Sequence, residues 1–288
     1  MWTALALMFV AMSCIPAGDS AGKLLTSEFG FSPAFVGWAR FLLGALVMGM
    51  FLPAGSLRLF RDWRIWGRGA LLSCGILSIL TALSTAPIAS VFAAFFIGPI
   101  VSYALSALLL REAVTPLRSM MMGLGFLGVL LVVRPGFSTE PGLLFALLAG
   151  VFYGAYLTAS RALTHLAAPR ALLFTQLVAG VVFLAPLALR DLPVIDADSA
   201  LLLLASGLFS MTGNLLLLMA YRIGTASAIA PMVYFQLIAA TVLGWLIFGD
   251  LPDALTWAGL AVIIGSGVIS ARLGRASFRP AAPLTDRG

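Results

Sequence analysis

Charge, histidine, cysteine and asparagine are all scarce in this sequence. Only 10% of its 288 residues are charged, against 61% hydrophobic, and the mean hydropathy is +1.09. A soluble domain is about half apolar and a quarter charged. So few charges cannot cover a water-facing surface, which excludes a soluble enzyme of one or two domains. Disorder is excluded as well, because it needs low hydrophobicity and high charge. Cys14 and Cys74 both sit inside apolar runs, so no disulfide framework is expected. His165 is the only histidine and falls in a loop. An intramembrane enzyme would need a Ser–His pair, two membrane aspartates or a zinc-binding HExxH helix. None of these is present, so neither catalysis nor a catalytic residue is expected. No cofactor is implied. The scattered acids lack His or Cys companions, so no metal site is expected either.

What the sequence does have is long, unbroken apolar runs. Transmembrane strands would alternate in polarity; these runs do not. A membrane helix needs about 20 apolar residues. Helices are expected at about 3–22, 32–53, 65–85, 88–110, 117–133, 141–160, 170–189, 200–221, 226–248 and 254–272. No basic region precedes the first run and Asp19 follows it closely, so a cleavable signal peptide is not expected. The tail 273–288 is polar and contains proline.

The formal net charge is +6, from 17 Lys and Arg against 11 Asp and Glu. In a soluble protein this would suggest nucleic acid. Here the topological reading is better, and no nucleic-acid partner is expected, because basic residues stay cytoplasmic. Arg58, Arg61, Arg64 and Arg68 follow helix two, and Arg111, Arg118, Arg161, Arg170 and Arg222 fall on the same side. The tail arginines, from Arg272 on, join them. Lys23, Arg134 and Arg190 fall opposite. That asymmetry puts both termini in the cytoplasm and fits an even number of spans.

The halves also repeat. Pro33, Arg40 and Gly44 have the spacing of Pro169, Gln176 and Gly180. Lys23 pairs with Arg161, and Glu112 with Asp250. Five helices per half is odd, so the halves must cross the membrane in opposite directions. The expectation is an all-α membrane protein with ten transmembrane helices, arranged as two inverted five-helix repeats over residues 1–136 and 137–272.

Gly123-Leu-Gly-Phe-Leu-Gly128 matches GxGxxG by letter, but a dinucleotide fingerprint needs a preceding strand. Close helix packing through small residues explains it better, and Ala261 and Gly265 offer a similar surface on helix ten. Arg40 lies about 10 Å into helix two at ~1.5 Å per residue. A buried charge is expensive and should face protein or water. Asp19, which with Lys23 and Glu28 lies near the outer end of helix one, is its expected partner, in a structural pair or a gate. Glu112 reads as a helix-end acid. Asp191, Asp196, Asp198, Asp250 and Asp253 fall on the outer side.

The candidate substrate-binding residues are polar groups at mid-depth: Ser13, Ser78, Thr81, Tyr103, Tyr153, Tyr156, Ser210, Asn214, Tyr234 and Gln236. Asn214 is the only asparagine. An unsatisfied amide in hydrocarbon costs several kcal/mol, so Asn214 and Gln236 must face a partner helix or a wet cavity. Pro99 and Pro231 add freed carbonyls. Phe95, with Phe92, Phe96 and Phe235, supplies walls.

The stretch Ala82-Leu-Ser-Thr-Ala-Pro-Ile-Ala-Ser90, then Pro99, Leu109-Leu-Arg-Glu112 and Gly128-Val129 resembles the repeat of the EamA-type carriers of the drug/metabolite transporter superfamily. So does Ala220-Tyr-Arg-Ile-Gly-Thr-Ala-Ser-Ala228, followed by Pro231, Ile247-Phe-Gly-Asp250, Gly259 and Gly267-Val268. The pattern is most similar to bacterial inner-membrane amino-acid and metabolite exporters, the aromatic branch included. Asp250 stands where the pattern has Glu, and Pro99 and Pro231 do not share the repeat offset. The resemblance implies a central cavity between the halves, helices five and ten at the periphery, and export. The expected function is export of an amino acid or a related neutral or zwitterionic metabolite across the inner membrane by alternating access. Without deep acids, uniport or exchange is expected over proton coupling. The alternatives are a nucleobase, vitamin or S-adenosylmethionine-like substrate, or a proton-coupled drug. The partners are a small molecule and the lipid bilayer, and a monomer is expected.

Overall fold

The structure, a computed structural model of the chain, describes residues 2–52, 55–85, 91, 94–111, 116–133, 141–223, 232–233, 235–249 and 254–273. Its α-helices are α1 (Trp2–Ser27), α2 (Pro33–Gly49), α3 (Trp63–Thr85), α4 (Ile97–Leu109), α5 (Pro116–Val133), α6 (Pro141–Ala162), α7 (Pro169–Ala188), α8 (Ala197–Ile223), α9 (Phe235–Phe248) and α10 (Ala254–Leu273). A 3-10 helix, Ser56–Arg61, joins α2 to α3. No strand occurs among the described residues.

Local chemistry sets several boundaries. Pro33, Pro116, Pro141 and Pro169 each open a helix, where the missing N–H has no partner to lose. The Ser32 side chain caps α2 by accepting from the Phe35 N–H at 3.2 Å. Gly249 ends α9 with φ +74° and donates its N–H to the Trp245 carbonyl at 3.0 Å. That left-handed backbone suits glycine.

Asp196 caps α8. Its carboxylate accepts from the Ser199 N–H at 2.8 Å, and the Ser199 hydroxyl accepts from the Asp196 N–H at 3.0 Å, a reciprocal capping box. The Ser199 hydroxyl bond, then the backbone bond, holds the exposed Asp196 carboxyl below its ordinary range. A lowered folded-state pKa stabilises above the unfolded value and is lost as pH falls through the folded one. Asp196→Ala is therefore expected to lower the melting temperature at neutral pH, and the gap to wild type should close on acidification. Fluorescence-detected melting across pH 2–7 checks this (~2–7 brackets carboxylate titration); a pH-independent gap contradicts it.

Among the described residues, four helices are long and apolar enough to cross a membrane: Trp63–Ser84, Leu144–Ala162, Pro169–Ala188 and Ala197–Ile223. The surface is apolar as well. Leu46, Phe51, Leu108, Leu144, Leu201 and Leu246 are all exposed. Such a surface is stable against lipid rather than water. Trp63 and Trp257, exposed near the starts of their helices, suit the interfacial zone.

α1 packs on α8 and α9, and α3 packs on α6 and α7. α4 also packs on α6, α2 crosses α7 and α8, and α5 packs principally on α10. Among the described residues, the two groups α1–α8–α9 and α3–α4–α6 meet mainly along the short α1–α3 and α6–α8 contacts.

Glycines set how closely the helices approach. A Cβ on Gly44 would meet Leu177 at 3.0 Å, and one on Gly180 would meet Phe41 at 2.4 Å. One on Gly69 would meet Ala179, and one on Gly207 would meet Leu43. Of the GxGxxG glycines, Gly128 packs on α10 at Gly259 and Ile263, but Gly123 has nothing within 4 Å. On α10 the packing surface is Gly259, Val262 and Ile263; Ala261 is exposed and Gly265 has open space.

Candidate functional site

α1 is longer than its apolar run suggests, because the helix carries on past the charged Lys23. It continues to Ser27, which puts Asp19 eight residues, or ~12 Å, inside that end. Asp19 is therefore buried at 4% exposure rather than interfacial. Its Oδ1 accepts from Arg40 Nη1 at 2.9 Å, and Arg40 is 2% exposed. Pro16 lies one turn earlier, inside α1, and frees the Met12 carbonyl.

Asp19 borders a closed pocket of about 30 Å³ between the two groups of helices. Ile15, Leu72, Gly75, Ile76 and Ile79 form its apolar wall, with Phe95, Tyr153 and Gln236. Phe95 and Tyr153 lie 5.2 Å apart between ring centroids, and Tyr153 stacks on Tyr156 at 6.0 Å. The Tyr153 hydroxyl and Gln236 Oε1 are buried with no hydrogen-bond partner among the described residues. The space holds one or two waters. A small-molecule site is typically ~300–1,000 Å³, so this pocket is too small for a whole metabolite.

A second polar cluster lies behind Tyr153. The Tyr156 hydroxyl donates toward Gln176 Oε1 at 3.0 Å and Asn214 Oδ1 at 3.2 Å, while Asn214 Nδ2 donates to the Ser210 carbonyl at 2.9 Å. Arg68 lies over the Tyr156 ring, 5.8 Å from its centroid. It donates to Ser160 Oγ at 3.4 Å and to the Leu172 carbonyl. The sequence groups Arg68 with the basic residues that follow helix two; in the structure it is 1% exposed, inside α3. No signal separates it from the loop arginines except its place five residues past Trp63. Among the described residues, no carboxylate pairs with it.

Tyr156→Phe is expected to cost about 1–3 kcal/mol, because it leaves two buried amide oxygens without a donor. Thermal unfolding in detergent checks this; an unchanged midpoint contradicts it.

The other candidates scatter. Ser78 and Ser210 are buried. Ser13 bonds the Phe9 carbonyl and faces an open groove with Phe209, away from the pocket. Thr81 bonds back to the Leu77 carbonyl, and Tyr103 reaches Ser119 on α5 at 2.9 Å. None of these three lines the closed pocket. Pro99 stands in the first turn of α4, not mid-helix, so it frees no interior carbonyl. His165 is exposed. Pro231, Tyr234, Phe92, Glu112, Asp250 and Asp253 lie outside the described residues.

An apolar exterior, spanning helices and a small, largely apolar pocket bordered by Asp19, Tyr153 and Gln236 fit a multi-pass membrane protein of the carrier type. The chain belongs to the EamA-like transporter family, whose pattern matches twice, over residues 2–134 and 140–272. It is similar to a riboflavin transporter of Brucella anthropi, 26% identical over 74% of this chain and 78% of that one. It is similar to an S-adenosylmethionine uptake transporter of Rickettsia prowazekii, 24% identical over 80% and 79%. A pseudopaline exporter of Pseudomonas aeruginosa is 26% identical over 78% and 81%. A solved crystal structure superposes with a TM-score of 0.78 over 97% of this chain and all of that one, at 19% identity, which shows a shared fold.

Proposed function

We propose that the chain is a bacterial inner-membrane carrier for a small neutral or zwitterionic metabolite bearing a planar ring. It works by alternating access of two inverted five-helix halves, with both termini and the 273–288 tail cytoplasmic. The observation that carries this reading is the closed pocket, where an aromatic pair meets two unpartnered polar groups beside a neutral ion pair.

Reciprocal contacts support the inverted halves. Gly44 meets Leu177 as Gly180 meets Phe41, and Gly69 meets Ala179 as Gly207 meets Leu43. Gly75 lies against Ala149 and Tyr153 as Gly213 lies against Ala11 and Ile15. Each contact maps onto its partner when the halves are exchanged. The helix pairings do the same: α1–α8 maps onto α3–α6, and α1–α9 onto α4–α6. Rocking about such an axis would open one face as it closes the other.

An aromatic amino acid fits the pocket chemistry. So does a vitamin-like or nucleoside-like ring, the second reading, which the names of the riboflavin and S-adenosylmethionine relatives favour. The relatives' names carry both uptake and export. With Asp19 engaged by Arg40, uniport or exchange is the favoured coupling.

The test is flux into proteoliposomes of labelled tryptophan, phenylalanine, riboflavin and S-adenosylmethionine, with and without a pH gradient. Movement of at least one, insensitive to the gradient, is expected. No flux of any compound sinks the substrate class, and acceleration by the gradient sinks the uniport reading.

A further inference from the structure

We infer that the pocket beside Asp19 receives a protonated amine of the substrate; this rests on the carrier reading above. Three residues that carry oxygen acceptors line it from three helices: Asp19 on α1, Tyr153 on α6 and Gln236 on α9. Tyr153 is 7% exposed and Gln236 1%, and neither oxygen has a partner among the described residues. An ammonium offers three donors and no acceptor, which is the complement of this set. The volume of about 30 Å³ holds a headgroup and not a whole metabolite. The charge balance narrows the class further. Asp19 and Arg40 neutralise each other, so a zwitterion adds no net charge to a low-dielectric site. A simple organic cation would leave it positive. The headgroup assigned is an aminocarboxylate.

The test is titration calorimetry of the purified protein with L-phenylalanine and with 3-phenylpropanoate, which has the same ring and carboxylate but no amine. L-Phenylalanine is expected to bind at least ten times tighter (~1.4 kcal/mol). Tyr153→Phe and Gln236→Leu should each weaken it severalfold while leaving the fold intact, since neither oxygen has a partner among the described residues to lose. Gln236→Glu should tighten it, an effect that a merely structural role does not produce. Equal binding of the two compounds, or an unchanged affinity in Gln236→Leu, overturns the inference and leaves a water-filled pocket. Flux of riboflavin, which has no aliphatic amine, with no binding of phenylalanine also overturns it while the carrier reading survives.

A different pair of contacts carries a second inference. Lys23, near the end of α1, donates to the Leu83 carbonyl in the last turn of α3 at 3.4 Å. Arg161, at the end of α6, donates to the Tyr221 carbonyl in the last turn of α8 at 2.8 Å. Donor and acceptor are both displaced by the same repeat interval, so the contacts are equivalents in the two halves. Last-turn carbonyls have no intrahelical donor and attract cations. Each contact bridges the two helical groups, one at each end of the molecule. We propose that they are opposing latches, both formed in this structure, and that opening a face breaks its own latch. After Cys14 and Cys74 are replaced by alanine, Ser20→Cys, which lines the small recess beside Lys23, reports on that face. Lys23→Met should speed its maleimide labelling severalfold and Arg161→Met should slow it, with Lys23→Arg restoring the wild-type rate. Equal or same-direction changes in the two Met variants overturn the latch assignment.

Discussion

Asp19→Leu should lose about 3–5 kcal/mol of stability, enough to remove most folded protein from a detergent extract. The substitution leaves the Arg40 guanidinium, 2% exposed, as an unpaired cation in the helix interior. Arg40 Nε and Nη2 already lack partners among the described residues, so no other group there is placed to take over the charge. Arg40→Met should be milder, because the stranded Asp19 carboxylate borders a pocket with room for water. The double variant Asp19→Leu/Arg40→Met should recover most of the stability, since a buried pair replaced by packed apolar groups is often near neutral. Transport should not recover if Asp19 binds the substrate. Melting midpoints and monodisperse yield of the three variants check this; equal stability of all three would falsify the buried-pair account.

Gly154→Val should be nearly as damaging, at the upper end of the ~1–3 kcal/mol typical of overpacking or beyond it. A Cβ there would stand 2.4 Å from the Gly98 carbonyl oxygen and 3.1 Å from the Ser102 N. Both are backbone atoms, so no rotamer change relieves the clash and α4 must move off α6. Gly150 makes the same approach to the Phe95 carbonyl at 2.5 Å. Separating these helices displaces Phe95 from Tyr153, so transport should fall together with stability. Gly123→Ala is the control: nothing lies within 4 Å of its Cβ position, and its stability should not drop. Unfolding curves that rank Gly154→Val with Gly123→Ala would contradict this packing.

Much of the outline was legible in the sequence. Unbroken apolar runs without charge lead directly to helices in a membrane. A buried charge needs a counterpart, and that argument leads from Arg40 to Asp19 and to a contact of 2.9 Å. The family followed from the paired motifs in the two halves. Depth and direction were less legible. The sequence places Asp19 near the outer end of helix one, because Lys23 and Glu28 stand close by, yet α1 extends past both Asp19 and Lys23. Arg68 was grouped with loop arginines that differ from it by a few residues in the chain, but a carbonyl, a hydroxyl and a tyrosine face take it inside the bundle. The apolar run around Pro99 suggests a mid-helix proline with a freed carbonyl, but the helix begins only two residues earlier.

Composition alone settled the solvent, the secondary structure and the scarcity of fixed charge, because these depend on how many groups are apolar and not on where they point. Only the tertiary structure decided which polar residues meet. Tyr153, Gln236 and Asp19 come from three helices far apart in sequence, while Ser13, Thr81 and Tyr103 turn elsewhere. The physical reason is that a helix in lipid is apolar on every side. In water, the polar face of a helix marks the outside. In lipid, the face toward the bilayer and the face toward the protein carry the same residues, so periodicity loses its sign and only packing assigns each side chain its neighbour.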